Sequence, residues 1–200
     1  MEGAPEPENP NRQRPMWELI IPAILIFWGV IAYNGLVRLR QQVDAAWADV
    51  DVQLKRRHNL VPNLVETVKG YAGHERETLE SVVQARSAAM SAQGPEAQAQ
   101  AEGMLAGALK SLFALSEAYP QLRASENFQQ LQGALAELEE TIANARRYYN
   151  AVVRDYNTRT ETVPNVLVAR PFGFKAREYF EIEGEARAVP EVDFGSGPEA

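Results

Sequence analysis

The stretch MWELIIPAILIFWGVIAYNGLV, Met16 to Val37, limits what this chain can become more than any other. No residue between Leu19 and Tyr33 is charged. Wound as a helix at 1.5 Å per residue, Met16 to Leu36 covers roughly 30 Å, the thickness of a bilayer's hydrocarbon core. Trp17 and Tyr33 lie near its two ends, where amphipathic rings settle at membrane surfaces. Pro22 falls in the first turns, where a spanning helix tolerates it. Two other readings compete: a core helix buried by its own protein, and a secretory signal cleaved after VIA, Val30 to Ala32. Glu2, Glu6 and Glu8 dilute the basic character that Arg12 and Arg14 would give a signal, and the apolar pattern runs on without a helix breaker. The expectation is therefore an uncleaved transmembrane helix over residues 16–37 in contact with membrane lipid. It is preceded by a disordered tail over residues 1–15, rich in Pro5, Pro7, Pro10, Asn9 and Asn11. Arg38 and Arg40, followed by Lys55, Arg56 and Arg57, outnumber Arg12 and Arg14. By the positive-inside bias the tail lies outside and the larger part is cytoplasmic.

From Leu36 the apolar residues recur every three or four positions: Leu36, Leu39, Val43, Trp47, Val50, Leu54, Val61, Leu64, Val65, Val68 and Ala72. That period puts them on one face of a helix, ending or bending near Gly70 and Gly73. A second helix over about 74–93 carries Leu79, Val82, Val83 and Met90. Gly94 and Pro95 separate it from a third over about 96–118, with Met104, Leu105, Ala108, Leu109, Leu112, Phe113 and Leu115 inward and Pro120 at its close. Ser125 suits the N-cap of a fourth. Its stripe of Phe128, Leu131, Leu135, Leu138, Ile142, Ala145, Tyr149, Val152 and Tyr156 alternates threes and fours like a coiled-coil seam. Short breaks between long helices place neighbours antiparallel. The predicted fold is all-α: the membrane helix leads into an antiparallel up-and-down four-helix bundle over residues 38–162. The period fails after Val163, which predicts a docked irregular segment over 163–183 and a disordered acidic tail over 184–200.

Composition narrows function by exclusion. A net charge of −7 argues against nucleic acid as a partner, because such proteins carry a basic footprint. With no cysteine there is no thiolate nucleophile, disulfide or cysteine zinc site. The two histidines, His58 and His74, lie sixteen residues apart and do not make a metal site by spacing. No nucleophile elbow or P-loop occurs. No cofactor, metal or catalytic residue is expected. GMLAG, Gly103 to Gly107, reads as a close-packing motif in a helix outside the membrane.

KRRHNLVPNL, Lys55 to Leu64, admits two readings. Pro62 has no amide hydrogen, so the His58 carbonyl loses its helical partner, at about 3 kcal/mol if nothing compensates. In the structural reading His58, Pro62 and Asn63 form a kink, with His58 hydrogen-bonded in the core and Asn59 or Asn63 serving the freed backbone groups. In the functional reading Lys55, Arg56 and Arg57 dock a protein partner, and reversing Arg56 and Arg57 to Glu leaves the fold intact. A lipid headgroup fits less well, since a straight helix carries Lys55 roughly 30 Å from the bilayer, several screening lengths away.

Tyr33 to Ala89, with VDVQLKRRHNLVPNLVETVKGYA at its centre, resembles the LemA family of bacterial membrane proteins. The likeness continues through ENFQQLQGALAELEETIANARRYYNAVVRDYNTRTETVPNVL and FGFKAREYFE. The resemblance implies a single-pass anchor at the bacterial inner membrane and a four-helix cytoplasmic bundle, and it supplies no catalytic residues. Family members look like cell-envelope factors, in some cases linked to membrane metalloproteases. The functional expectation is a non-enzymatic, membrane-anchored scaffold that self-assembles into a homo-oligomer, with an envelope protein as a further partner. The alternative is an adaptor or regulator of another membrane protein, such as a membrane protease or signalling kinase.

Overall fold

A computed structural model describes residues 17–181. The tails expected over 1–15 and 184–200 lie outside the described residues. Six helices follow in order: α1 (Trp17–Ala72), α2 (Arg76–Ser91), α3 (Pro95–Ser116), the single turn α4 (Pro120–Arg123), α5 (Glu126–Glu161) and the single turn α6 (Val166–Ala169). No strand occurs among the described residues.

α1 is one helix of 56 residues. Its N-terminal part is long and apolar enough to cross a membrane, and the other described residues cover almost none of it. Past Leu36 the same helix gains a buried face: Leu36, Val43, Ala46, Val50, Leu54, Val61, Leu64, Val65, Val68 and Ala72. The core-helix reading of the apolar run does not describe this geometry, since Leu19, Ile20, Ile24, Leu25, Ile26 and Phe27 are all exposed.

α5 runs antiparallel along α1. Trp47 packs on Tyr149 with ring centroids 5.3 Å apart, while further along α1 Arg57 meets Glu139. Its inward residues fall every seven positions, Phe128, Leu135, Ile142, Tyr149 and Tyr156, all buried. The intervening Leu131, Leu138, Ala145 and Val152 are half-buried. α2 and α3 turn back on each other at Gly94, whose φ of 85° is open to glycine without a Cβ penalty. Pro95 then opens α3, where its missing amide costs nothing. Two apolar clusters result. One joins Val61–Ala72 of α1 to α2, α3 and the start of α5. The other joins Leu36–Leu54 to the second half of α5 and the segment after it.

Several expectations shift in detail. Pro120 does not simply end a helix; it begins α4 from the first-turn position. Ser125 stands at the N-cap of α5, but its side chain makes no capping bond. Met90, Met104 and Val83, expected inward, are exposed. Gly107 is exposed and a Cβ there would meet nothing within 4 Å, so it does not mediate close helix packing. The helix also passes through Pro62 without a break.

Candidate functional site

Between the two apolar clusters lies a layer of buried polar side chains. Arg57 is 2% exposed and Glu102 1%. Arg57 donates from its two terminal nitrogens to Glu102 of α3 and Glu139 of α5. His58 Nε2 lies 2.7 Å from the other Glu102 oxygen, Oε1. Gln98, one turn before Glu102, donates to that same oxygen at 2.8 Å and to the Ala89 carbonyl of α2 at 3.0 Å. Burial pushes the Glu102 carboxyl up, but the hydrogen bond from His58 and the charge of Arg57 outweigh it and hold the group below its ordinary value of 4.5. An ionised carboxylate only accepts, so Nε2 of His58 is the donor in that contact.

The backbone defect at Pro62 is repaired from outside the helix. Arg86 of α2 donates its Nε–H to the His58 carbonyl at 2.7 Å. That carbonyl is the one whose helical donor Pro62 removes. Asn59 and Asn63, expected to serve it, are both exposed. The Asn63 carbonyl instead accepts from the Thr67 hydroxyl at 2.8 Å.

The proposed cationic patch is thereby divided. Lys55 and Arg56 are exposed; Lys55 pairs with Asp51 at 2.5 Å and Arg56 reaches Gln53 at 3.4 Å. Arg57 is not on that surface. It lies three residues after Leu54 and four before Val61, on the inward stripe, and it pairs with the buried carboxylate of Glu102 and the half-exposed one of Glu139. Reversing it to Glu would set a second carboxylate against buried Glu102 and beside half-exposed Glu139, and is expected to cost stability, where the sequence reading has the fold intact. A cleft of about 170 Å³, lined by Lys55, His58, Asn59, Met90 and Gln98 among others, reaches the edge of the layer.

Glu102, Gln98, Arg86 and Glu139 were not among the sequence candidates. A signal for two of them existed: the α3 stripe Leu105, Leu109, Leu112 extends backward by three and four to Glu102 and Gln98. For Arg86 and Glu139 nothing local marks a partner.

A second polar device holds the C-terminal segment. Asn150 and Asn157 stand seven residues apart, two turns on one face of α5. Each carboxamide closes a pair of bonds on extended backbone. Asn157 accepts from Arg177 N at 2.8 Å and donates to its carbonyl at 2.9 Å; Asn150 does the same with Phe180 at 2.9 and 3.1 Å. The Tyr149 hydroxyl donates to the Glu178 carbonyl at 2.8 Å. Burial pushes that phenol up to about 12, against the opposing charge of Arg177. Phe180 is buried against Trp47, with centroids 5.7 Å apart, and Arg177 pairs with Asp44 of α1. Thus residues 174–181 strap α5 to α1.

Among the described residues no three metal-ligating side chains converge. Each carboxylate oxygen of Glu102 meets a donor, and among the described residues Arg57 Nε is the one buried side-chain nitrogen or oxygen that lacks a partner. What this arrangement does chemically is fix four helices at one level.

The chain is 26% identical over 207 residues to magnetosome protein MamQ 2 of Paramagnetospirillum magneticum, an alignment covering 87% of this chain and 76% of that protein. It is 25% identical over 177 residues to magnetosome protein MamQ of Magnetospirillum gryphiswaldense, covering 76% and 65%. It is 27% identical over 142 residues to protein LemA of Metamycoplasma hominis, covering 68% and 63%. The model of the LemA family matches residues 46–194, a stretch that takes in the ionic layer, the asparagine pair and the strap, and the chain belongs to that family.

Proposed function

We propose that this protein is a single-pass, membrane-anchored scaffold without catalytic activity, whose helices form an antiparallel up-and-down four-helix bundle that self-assembles on the inner face of a bacterial membrane. The observation that carries the reading is the continuity of α1. One helix supplies both an exposed apolar segment of membrane-spanning length and the buried face around which α2, α3 and α5 gather. Whatever the bundle assembles is therefore held at a fixed place relative to the bilayer. Among the described residues, the buried polar groups of the core are paired mainly with one another.

The decisive experiment is crosslinking in intact cells read by mass spectrometry, together with the mass of the complex purified in mild detergent. A large assembly, independent of concentration and held by contacts between copies, is the expected result. A monomer carrying one dominant other protein would replace the scaffold reading with the adaptor one. That second reading draws on an open cleft of about 600 Å³ between α1 and α2, with Val65, Leu79 and Val83 inside and Glu66, Lys69, Arg76 and Glu80 around it. Its chemistry suits an amphipathic segment of a partner. Lys55 and Arg56 remain the cations offered for docking, and reversing both to Glu is expected to weaken co-purification without changing stability.

A further inference from the structure

The same end of the molecule that carries the apolar span carries a second apolar surface. α5 returns along α1 toward that span, and the turn after it lies against the span's last residues. The Tyr33 ring meets Phe172 with centroids 5.0 Å apart and Phe174 at 5.6 Å. Trp28 and Ala32 pack on the cluster that holds Val168, Ala169 and Phe174. Outside Trp17–Tyr33, the three most exposed large apolar side chains among the described residues are Val163 at 80%, Leu167 at 68% and Phe172 at 65%. All three fall within ten residues.

A tight backbone closure follows Phe172. Gly173, at φ 73°, follows the α6 turn; its amide donates to the Arg170 carbonyl at 3.2 Å, and the Phe174 amide donates to the Ala169 carbonyl at 3.0 Å. This pair of bonds is a Schellman closure, which needs the left-handed residue that glycine supplies. Beyond it Phe174 is buried beneath Arg40, while Phe172, whose ring also meets Tyr33, keeps about two thirds of its surface exposed.

We propose that the α5–α6 turn, Val163 to Phe172, is a second membrane contact: a wedge seated in the lipid leaflet from which the bundle emerges. This inference rests on the anchoring role proposed for α1. Depth supports it. Tyr33 stands four residues before Val37, the last residue of the uncharged run, which sets it about 6 Å inside that boundary along the helix. Interfacial apolar groups sit roughly 5–10 Å into the headgroup and acyl border. Charge supports it as well. Residues 159–175 carry Arg159, Arg170 and Lys175 against the single acid Glu161, in a chain whose net charge is −7. All three cations are exposed, and Arg38 is exposed at the end of the span. Apolar side chains flanked by cations, at that depth, fit an anionic lipid surface.

The absence of cysteine makes the test direct. The full chain is reconstituted in vesicles of phosphatidylcholine and phosphatidylglycerol, with a bimane fluorophore on one cysteine at a time: Leu167→Cys, Phe172→Cys, Ile24→Cys within the span, and Val83→Cys on α2. Brominated lipid is expected to quench the probe at 24, 167 and 172 several-fold more than at 83. Quenching at 24 without quenching at 167 and 172 would overturn the wedge and leave the anchor standing. Loss of quenching at 24 as well would overturn both. Disulfide formation between two copies at 167 with no quenching would show that a second copy covers the turn, which also overturns the inference. Arg170→Glu with Lys175→Glu is expected to lower quenching at 167 in phosphatidylglycerol-containing vesicles and leave it unchanged in phosphatidylcholine alone; an equal response in both would overturn the anionic part.

Discussion

Replacing Glu102 with Ala tests the ionic layer most sharply. Glu102 is almost wholly buried and accepts from Arg57, His58 and Gln98. Its removal leaves Arg57 buried with one carboxylate, Glu139, which is itself half exposed. Breaking a buried pair by deleting one partner costs about 3–5 kcal/mol, since the remaining charge stays out of water. The three lost charge-assisted bonds would sum to more, but groups in one network are not additive. About 4 kcal/mol is the working figure, against a total stability of roughly 5–15 kcal/mol for a domain. At this chain length that lowers the midpoint of thermal unfolding by about 8–16 °C. The control is Glu66→Ala, which removes an exposed carboxylate paired with Lys69 at 3.5 Å. Exposed pairs contribute about 0–1 kcal/mol. Reconstituted protein followed by circular dichroism through heating gives both numbers. If Glu102→Ala and Glu66→Ala shift the midpoint equally, the layer is not desolvated and the reasoning fails.

Three further outcomes follow from the same geometry. Stability should hold from neutral pH down to about 4.5, the ordinary value for glutamate, then decline faster in the native protein than in Glu102→Gln. The folded carboxyl titrates below the unfolded one, so the unfolded chain binds the proton first; acid denaturation followed by fluorescence reads this. Arg86→Leu should cost about 1–3 kcal/mol by orphaning the His58 carbonyl, and less in a Pro62→Ala background, where residue 62 regains an amide; a double-mutant cycle in urea measures the difference. Asn150→Ala with Asn157→Ala should speed hydrogen exchange at the Arg177 and Phe180 amides while leaving α1 protected, and equal exchange before and after would refute the clamp.

The long elements were legible because their signal is local and repeated. The stripe from Leu36 to Ala72 and the seam from Phe128 to Tyr156 each recur over many turns, so one exception does not hide them. The apolar span was legible for the same reason. The site was not. Arg57 reads as a surface cation because its neighbours Lys55 and Arg56 are, and only the threefold and fourfold count from Leu54 to Val61 turns it inward. Its partners lie 45 and 82 positions away, at Glu102 and Glu139, and no local pattern reports that distance. Pro62 announced a missing bond correctly. The donor came from Arg86 in another helix, whereas local reasoning looked to the nearest asparagines. A docked segment over 163–183 was expected, but not the side chains that hold residues 174–181, because backbone held by side-chain amides has no periodicity of its own; Asn150 and Asn157 carry the spacing, on the helix instead of on the segment they hold.

The undivided length of α1 has a mechanical consequence. Thirty-five of its residues, 38–72, extend past the uncharged run, a reach of about 52 Å. Should a change in bilayer thickness lean an anchored span by about 10°, well within the usual range for such helices, leverage carries the far tip sideways by on the order of 9 Å. A small rearrangement among lipids thus becomes a displacement as wide as a helix, delivered deep into the aqueous phase.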